Sequence, residues 1–188
     1  MVTELIDKQR AFYESGNTLD TRSRRAMLQI LANTFSEVYG EGPDTAAVLD
    51  QIKYVRKNLY KWTGTGRLRL LMSLFARPSE DGPMPHGVVL IDGGEAGNSV
   101  RSLMAPLVSA LAAGNTAVVL LPDTPAGETV RRIVDETFTD DFVATVPASG
   151  EDAAALRDGS FSFVYDCAGG YPSTGHEGFL AFSEMSSE

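Results

Sequence analysis

The sequence contains very few of the residues that cross-link proteins or bind metals. Its 188 residues include a single cysteine, Cys167, and only two histidines, His86 and His176. One cysteine cannot form an intramolecular disulfide, and no Cys/His spacing suits structural zinc. These absences exclude a disulfide scaffold and a zinc module, and they favour a reducing compartment.

Positive charge is also scarce. The chain has 16 Lys and Arg against 25 Asp and Glu, which gives a formal net charge of −9 at pH 7. Proteins bind phosphate backbones through clustered cations, and here basic residues cluster only at Arg22, Arg24 and Arg25. We therefore expect no nucleic-acid partner.

The sequence also lacks long apolar runs and the features of a secretory signal. No apolar run approaches the roughly 20 residues that a membrane span requires. The start, MVTELIDKQR, has neither a basic n-region nor an apolar h-region. We therefore expect no membrane partner and a cytoplasmic location.

What the chain does have is a hydrophobic content of 43%, enough to bury the core of one ordinary domain. In its first third, apolar residues recur at helical spacing in three segments, and each segment is closed by a glycine or a turn. The three predicted helices run to Gly16, from Asp20 or Thr21 to Gly40, and from about Asp44 to Trp62.

The rest of the chain alternates between short strands and helices. The predicted strands are GVVLID, TAVVLL, FVATV and FSFVYD, and the predicted helices between them are SVRSLMAPLVSALAAGN, GETVRRIVDETF and GEDAAALRD. Such alternation is typical of a parallel sheet with right-handed crossovers. The segment RLRLLMSLF, after Gly66, is compatible with a strand or a helix.

The predicted fold class is therefore α/β. A helical amino-terminal lead, residues 1–65, precedes a Rossmann-like, mostly parallel sheet with helices on both faces, residues 66–188. Together they are predicted to form a single domain over 1–188.

Two further segments point to a family. PHGVVLI and APLVSALAAGNTAVVLLPD, after a helical lead that contains AFYESGNTLDTRSRRAMLQIL, resemble the amino-terminal, cofactor-domain part of the aldehyde dehydrogenase superfamily. The resemblance covers most of the chain. It implies a truncated domain without the family's catalytic domain, which carries the nucleophilic cysteine and the carboxylate that activates water.

One departure from the family pattern follows the first sheet strand. Family members carry Trp-Asn-(Tyr/Phe)-Pro there, and the asparagine helps to form the oxyanion hole, whereas this chain has DGGEAGNS. Ala96 or Gly97 takes the position of the asparagine, and Asn98 is expected to cap the helix that begins at Ser99. Loss of one such donor typically lowers the rate by about two to three orders of magnitude.

Two more departures concern the cofactor. Leu121 stands where the family has a lysine that reaches the adenosine ribose, and Asp123 adds negative charge nearby. In the loop beneath the pyrophosphate, the family's Gly-Ser stretch is replaced by 165–168, Tyr-Asp-Cys-Ala. A carboxylate there opposes an anionic ligand. We therefore expect no cofactor and weak NAD binding.

Polar side chains gather at the carboxyl edge of the predicted sheet, where open α/β sheets bind ligands. A carboxylate in partly apolar surroundings at that edge can act as a general acid or base. One of the two histidines is expected within reach of a bound small molecule. The candidate catalytic residues are Asp92, Glu95, Tyr165, Asp166, His176 and His86.

Each candidate also has an ordinary structural explanation. Loop carboxylates are commonly solvated, His86 fits a surface turn, and His176 fits the start of the last helix. Cys167 aligns with the loop and not with the family nucleophile, which is typical of a buried apolar filler. Arg101 could reach the loop from the first turn of its helix.

Two classes of function follow. The first is a non-redox, cofactor-independent catalyst of cyclisation, aldol-type or proton-transfer chemistry on a carbonyl-bearing small molecule. The alternative is a catalytically inactive pseudoenzyme that binds a small molecule or a partner protein. Because loss of the family's catalytic domain would uncover apolar surface, we also expect a homodimer, formed through LRLLMSLF or GFLAF.

Overall fold

The helical lead contains three helices. The computed structural model describes residues 2–64, 83–94, 99–169 and 172–184. The helices are α1 (Val2–Glu14), α2 (Thr21–Val38) and α3 (Thr45–Trp62). Helix α2 begins after Asp20, whose carboxylate accepts the Ser23 N–H at 2.7 Å. It ends before Gly40, whose φ of 66° turns the chain away, as the glycine in the sequence predicted.

The remaining elements include the alternating strands and helices that the sequence predicted, together with two short strands that it did not predict. They are β1 (Met84–Pro85), β2 (Val88–Asp92), α4 (Val100–Ala113), β3 (Thr116–Leu121), α5 (Pro125–Thr137), β4 (Val143–Pro147), α6 (Glu151–Arg157), β5 (Phe163–Asp166), α7 (Gly175–Ala181) and β6 (Ser183–Glu184). Four strands form a parallel sheet in the order β4-β3-β2-β5. The short strands β1 and β6 form an antiparallel pair. The expected parallel α/β sheet is confirmed.

The start of α4 differs from the prediction. Ser99, not Asn98, is the capping residue, and the helix begins at Val100. The Ser99 hydroxyl accepts the Ser102 N–H at 3.0 Å, while the Ser102 hydroxyl approaches the Ser99 N–H. A serine in extended conformation directly before the first helical turn supplies this reciprocal cap. Asn98 lies outside the described residues.

Helices cover both faces of the sheet. Side chains of α2, α3, α4, α5 and α7 form the larger core with one face of the strands, where Phe35, Ile52, Leu107 and Phe179 are fully or almost fully buried. On the other face, α1 and α6 cover Leu90, Val118 and Leu120. Successive strand residues point to opposite faces, so continuously apolar strands such as β3 supply both cores.

Two buried polar side chains connect several elements near the amino ends of the strands. Arg24 is 7% exposed and donates to the carbonyl oxygens of Thr18, Leu19, Ala112 and Ala113 at 2.7 to 3.2 Å. The last two of these carbonyls belong to the C-terminal turn of α4, where a cation is favourable. Burial lowers the pKa of Arg24 to about 10, so the guanidinium remains charged at neutral pH.

Asn115 makes the second such connection. Its side-chain oxygen accepts the Gly87 N–H at 2.9 Å, and its amide group donates to the carbonyl oxygens of Ala110 and Phe182. One fully buried side chain thus ties the starts of β2 and β3 to the end of α7. We call this end of the sheet the amino edge.

Two further expectations bear on the surface. Among the described residues, no helix combines the length and the apolarity that crossing a bilayer requires. In the GFLAF segment, Phe179 and Phe182 are buried in the larger core, and the homodimer stays a prediction. The other proposed dimer segment, LRLLMSLF, lies outside the described residues.

Candidate functional site

The carboxyl ends of the four parallel strands meet at one edge of the sheet. Asp92 ends β2 and Asp166 ends β5, and the two aspartates are direct register partners. Leu121 of β3 and Pro147 of β4 are partners in the same way. The strand-end residues identified in the sequence are therefore neighbours in space.

Two adjoining cavities open at this edge, with volumes of about 300 and 430 Å³. Both are lined by Pro122, Asp123, Thr124 and Ser149, from the segments that follow β3 and β4. We call them together the carboxyl-edge cleft. Its other lining residues are Leu121, Gly127, Glu128, Arg131, Thr145, Val146 and Pro147 in one half, and Gly94, Ala148 and Arg157 in the other.

Asp92 is held by a cation at the side of this cleft. The Arg157 guanidinium, at the end of α6, donates to both Asp92 carboxylate oxygens, at 2.6 and 3.0 Å. The Gly94 N–H donates to the same carboxylate at 2.9 Å. The hydrogen bonds that Arg157 donates to Asp92, together with the Asp92 and Asp166 charges, raise the pKa of Arg157 above its ordinary value. Asp92 is therefore an ion-paired carboxylate held in a fixed position.

A second pair lies on α5. Arg131 donates to both carboxylate oxygens of Glu128, at 2.6 to 3.1 Å, one turn apart on the exposed side of the helix. The hydrogen bonds that Arg131 donates to Glu128 raise the pKa of Arg131. Both arginines that line the cleft thus already hold a carboxylate.

Asp166 begins a tight turn. Its carboxylate is exposed and accepts the Ala168 N–H at 2.8 Å, while its carbonyl accepts the Gly169 N–H at 3.0 Å. Cys167 is partly buried behind this turn, with its sulfur 3.8 Å from the Ser102 carbonyl oxygen. Burial, with the Asp166 and Asp92 charges, raises the pKa of the Cys167 thiol to about 12. A thiol with that pKa is a poor nucleophile at neutral pH.

None of the candidates that the structure describes lines the cleft itself, although Asp92 bonds to its lining residue Arg157. Tyr165 points to the opposite face of the sheet from Asp166, because adjacent strand residues alternate, and it stacks on Phe182 at 5.2 Å. Burial raises the pKa of its phenol. Tyr165 therefore belongs to the core beside the cleft.

Both histidines lie elsewhere. His86 is at the amino edge, where its ring stacks on Phe163 at 4.6 Å and its Nε2 lies 3.3 Å from the Ala181 carbonyl oxygen. His176 is exposed on α7, and its ring is 5.1 Å from that of Trp62. Sequence position carried no information about these distances, since each histidine is placed by packing between distant elements.

Glu95 lies outside the described residues, so the pairing of Asp92 with Glu95 stays a prediction. Arg101 is exposed, and its backbone N–H donates to the Asp44 carboxylate at 3.0 Å. Among the described residues, no group of three or more His, Cys, Asp or Glu could hold a metal ion.

Sequence reasoning missed several cleft residues, chiefly Thr124, Ser149 and Arg157. Asp92 and Asp166 were identified because the carboxyl ends of parallel strands meet at one edge of the sheet. The same reasoning applies to residues 122–124 (PDT), which follow β3, and to residues 147–149 (PAS), at the end of β4. Arg157 does not follow a strand, so no sequence pattern predicted its position at this edge. It reaches the edge from the last residue of a helix on the α1 face of the sheet.

The chain is a relative of the aldehyde dehydrogenases and has the fold of their cofactor-binding domain, as the sequence motifs predicted. No family model matches it. The 4,4'-diaponeurosporen-aldehyde dehydrogenase of Staphylococcus aureus is 25% identical, over 83% of this chain and 38% of that enzyme. The 4,4'-diapolycopene-4,4'-dial dehydrogenase of Cytobacillus firmus is 28% identical, over 65% of this chain and 27% of that enzyme.

Solved structures agree on the fold. The substrate-bound state of Staphylococcus aureus AldH superposes with a TM-score of 0.66 at 22% identity, over 87% of this chain and 40% of that one. PnpE from Pseudomonas sp. WBC-3 gives a TM-score of 0.55 at 18% identity, over 76% and 32% of the two chains. The chain thus spans well under half the length of these relatives.

The residues at the carboxyl edge do not fit the dinucleotide that the family resemblance implies. Leu121, in the place of the ribose-binding lysine, is 5% exposed and packs in the core. In the turn after β5, the Ala168 N–H that could face a phosphate is taken by the Asp166 carboxylate. An anionic pyrophosphate would meet a like charge where it needs donors.

Proposed function

We propose that this domain binds a carbonyl-bearing small molecule in the carboxyl-edge cleft, without a dinucleotide. The observation that carries the proposal is the cleft itself, with apolar walls from Pro122 and Val146 and hydroxyl groups from Thr124 and Ser149. Few convergent polar groups on an apolar surface are typical of small-molecule sites. The names of the two curated relatives describe enzymes of aldehydes, which supports a carbonyl compound as ligand.

Binding without reaction is favoured over catalysis by the state of the candidate groups. Asp92 is ion-paired with Arg157, Tyr165 is buried on the other face, and neither histidine lines the cleft. A general base must lie within hydrogen-bond reach of the proton that it removes. These groups therefore support the pseudoenzyme alternative more than the catalyst.

Non-redox proton transfer, including aldol-type or cyclisation chemistry, remains the second candidate function. The observation in its favour is the exposed carboxylate of Asp166, which makes no ion pair with any described residue. It neighbours the Asp92–Arg157 pair, and its charge acts on the Arg157 guanidinium. Of the original candidates that the structure describes, Asp166 is the exposed carboxylate without an ion pair, and it lies beside the cleft without lining it.

The test is a titration of the ¹⁵N-labelled protein with small aldehydes and ketones, followed by amide NMR shifts. We expect shifts at Gly94, Thr124 and Ser149, with dissociation constants of about 1 mM for such small ligands. A Ser149→Phe variant should fill the cleft and remove the shifts, while Ser36→Phe, on the exposed side of α2, should keep them. Shifts elsewhere, or shifts that survive Ser149→Phe, would overturn the proposal.

The same samples separate binding from catalysis. If the second candidate is correct, a product signal grows without NAD and disappears in Asp166→Asn. If the ligand binds and stays unchanged over days, the domain is a binding module.

A further inference from the structure

The charges in the carboxyl-edge cleft leave one carboxylate without a partner cation. Arg157 is paired with Asp92, and Arg131 with Glu128. Asp123 lines both halves of the cleft, is exposed, and forms no ion pair with any described residue. Of the charged side chains that the structure describes in the lining, Asp123 is therefore the one without an ion-pair partner, and it contributes to both halves of the cleft.

The start of α5 does not reverse this balance. A helix N-terminus carries about half a positive charge, less than the full charge of the adjoining Asp123 carboxylate. Its backbone donors are also largely used or missing. Pro125 has no N–H, the Gly127 N–H donates to the Thr124 hydroxyl at 3.2 Å, and the Glu128 N–H donates to the Thr124 carbonyl at 2.9 Å.

We propose that the ligand of the carboxyl-edge cleft carries an amine in addition to its carbonyl group, so that its ammonium pairs with Asp123. This inference rests on the proposed function, because it names the class of carbonyl compound that the same cleft accepts. The walls from Pro122 and Pro147 suit a short apolar body, and the Ser149 and Thr124 hydroxyls can donate to a carbonyl oxygen. An anionic ligand, such as an oxo acid or a nucleotide, meets no unpaired cation in the part of the lining that the structure describes.

The effect of ligand charge can be measured with three methyl ketones of similar size, which are cationic (aminoacetone), neutral (hydroxyacetone) and anionic (acetoacetate). We expect aminoacetone to bind about three times more tightly than hydroxyacetone, since a partly exposed ion pair gives up to about 1 kcal/mol, and acetoacetate to bind most weakly. The readout is the dissociation constant from amide shifts at Thr124 and Ser149, measured at low salt because added salt screens the pair.

Asp123→Asn should abolish the preference for aminoacetone while hydroxyacetone still binds. The matched control is Asp50→Asn, an exposed residue of α3 that does not line the cleft, and it should keep the preference. Equal binding of aminoacetone and hydroxyacetone in the parent would overturn the amine inference and leave the proposed function standing. Tightest binding of acetoacetate would also overturn it, whereas the absence of shifts with all three ketones would overturn both proposals.

Discussion

The two ends of the parallel sheet differ in the burial of their polar side chains. At the amino edge, Arg24 and Asn115 are buried, and their hydrogen bonds go to backbone atoms of several elements. At the carboxyl edge, Asp123 and Asp166 are exposed beside a cleft, and the arginines there bond to carboxylates at the surface. The first set is largely out of contact with water and depends on its protein partners, whereas Asp123 and Asp166 of the second set are accessible to solvent.

From this difference in burial, we expect substitutions to be tolerated better at the carboxyl edge than at the amino edge. A buried polar group that loses its partner costs far more than an exposed ion pair. The amino edge therefore fixes the domain, while the carboxyl edge can change its chemistry with little loss of stability. The replacements relative to the family pattern, at Leu121 and at 165–168, lie at the carboxyl edge.

The largest effect should come from Arg24→Met. Methionine keeps much of the side-chain volume but leaves four carbonyl oxygens without this donor, three of them in buried hydrogen bonds. We expect the free energy of unfolding, measured by urea denaturation, to fall by about 3 kcal/mol. Arg22→Met, at an exposed position of the same helix, should change it by less than about 0.5 kcal/mol. An equal loss of unfolding free energy in the two variants would show that the buried contacts of Arg24 do not stabilise the amino edge more than an exposed arginine does.

Asn115→Ala should have the next largest effect. The substitution removes one acceptor and two donor contacts at the junction of β2, β3 and α7. A loss of about 2 kcal/mol is expected in the same denaturation experiment. Amide exchange should also quicken at Gly87, whose N–H loses its partner. Unchanged protection of that amide would show that the junction does not depend on Asn115.

Because burial raises the pKa of the Cys167 thiol, we expect the stability of the domain to depend on pH. Burial favours the neutral thiol, so the folded chain keeps this proton to a higher pH than the unfolded chain, and the folded pKa is about 12. The contribution is fully present below the ordinary thiol pKa and is lost as the pH rises towards the folded value. Between about pH 8 and pH 10, we expect the parent to lose about 1 kcal/mol more than Cys167→Ala. Parallel pH profiles of the two proteins would contradict this.

The smallest effect on stability is expected from Asp92→Asn at the carboxyl edge. The variant loses the ion pair with Arg157, whose side chain is 41% exposed, so the loss should be about 0.5 kcal/mol. Arg157 is then free to accept an anionic ligand, and acetoacetate should bind more tightly to the variant than to the parent. A loss above about 2 kcal/mol would mean that this pair supports folding as the amino edge does.

Much of the fold could be predicted because it depends on local pattern. Apolar spacing and the stops at Gly16 and Gly40 gave the lead helices, and β-branched runs gave the strands. Asp92 and Asp166 could be predicted as neighbours because parallel strands end at one edge. The Arg157 contact and the positions of both histidines depend on packing between distant elements, which no local pattern encodes.

The most direct test of the contrast between the edges is calorimetric titration with NAD⁺. The parent, a Leu121→Lys/Asp166→Gly variant and a full-length relative, such as the Staphylococcus aureus enzyme, are measured side by side. If the carboxyl edge has lost its dinucleotide site through these replacements, the relative binds, the parent shows no heat below about 1 mM NAD⁺, and the variant gains measurable affinity. A parent dissociation constant in the low micromolar range would contradict the loss of the dinucleotide site and, with it, the assignment of the cleft to another ligand.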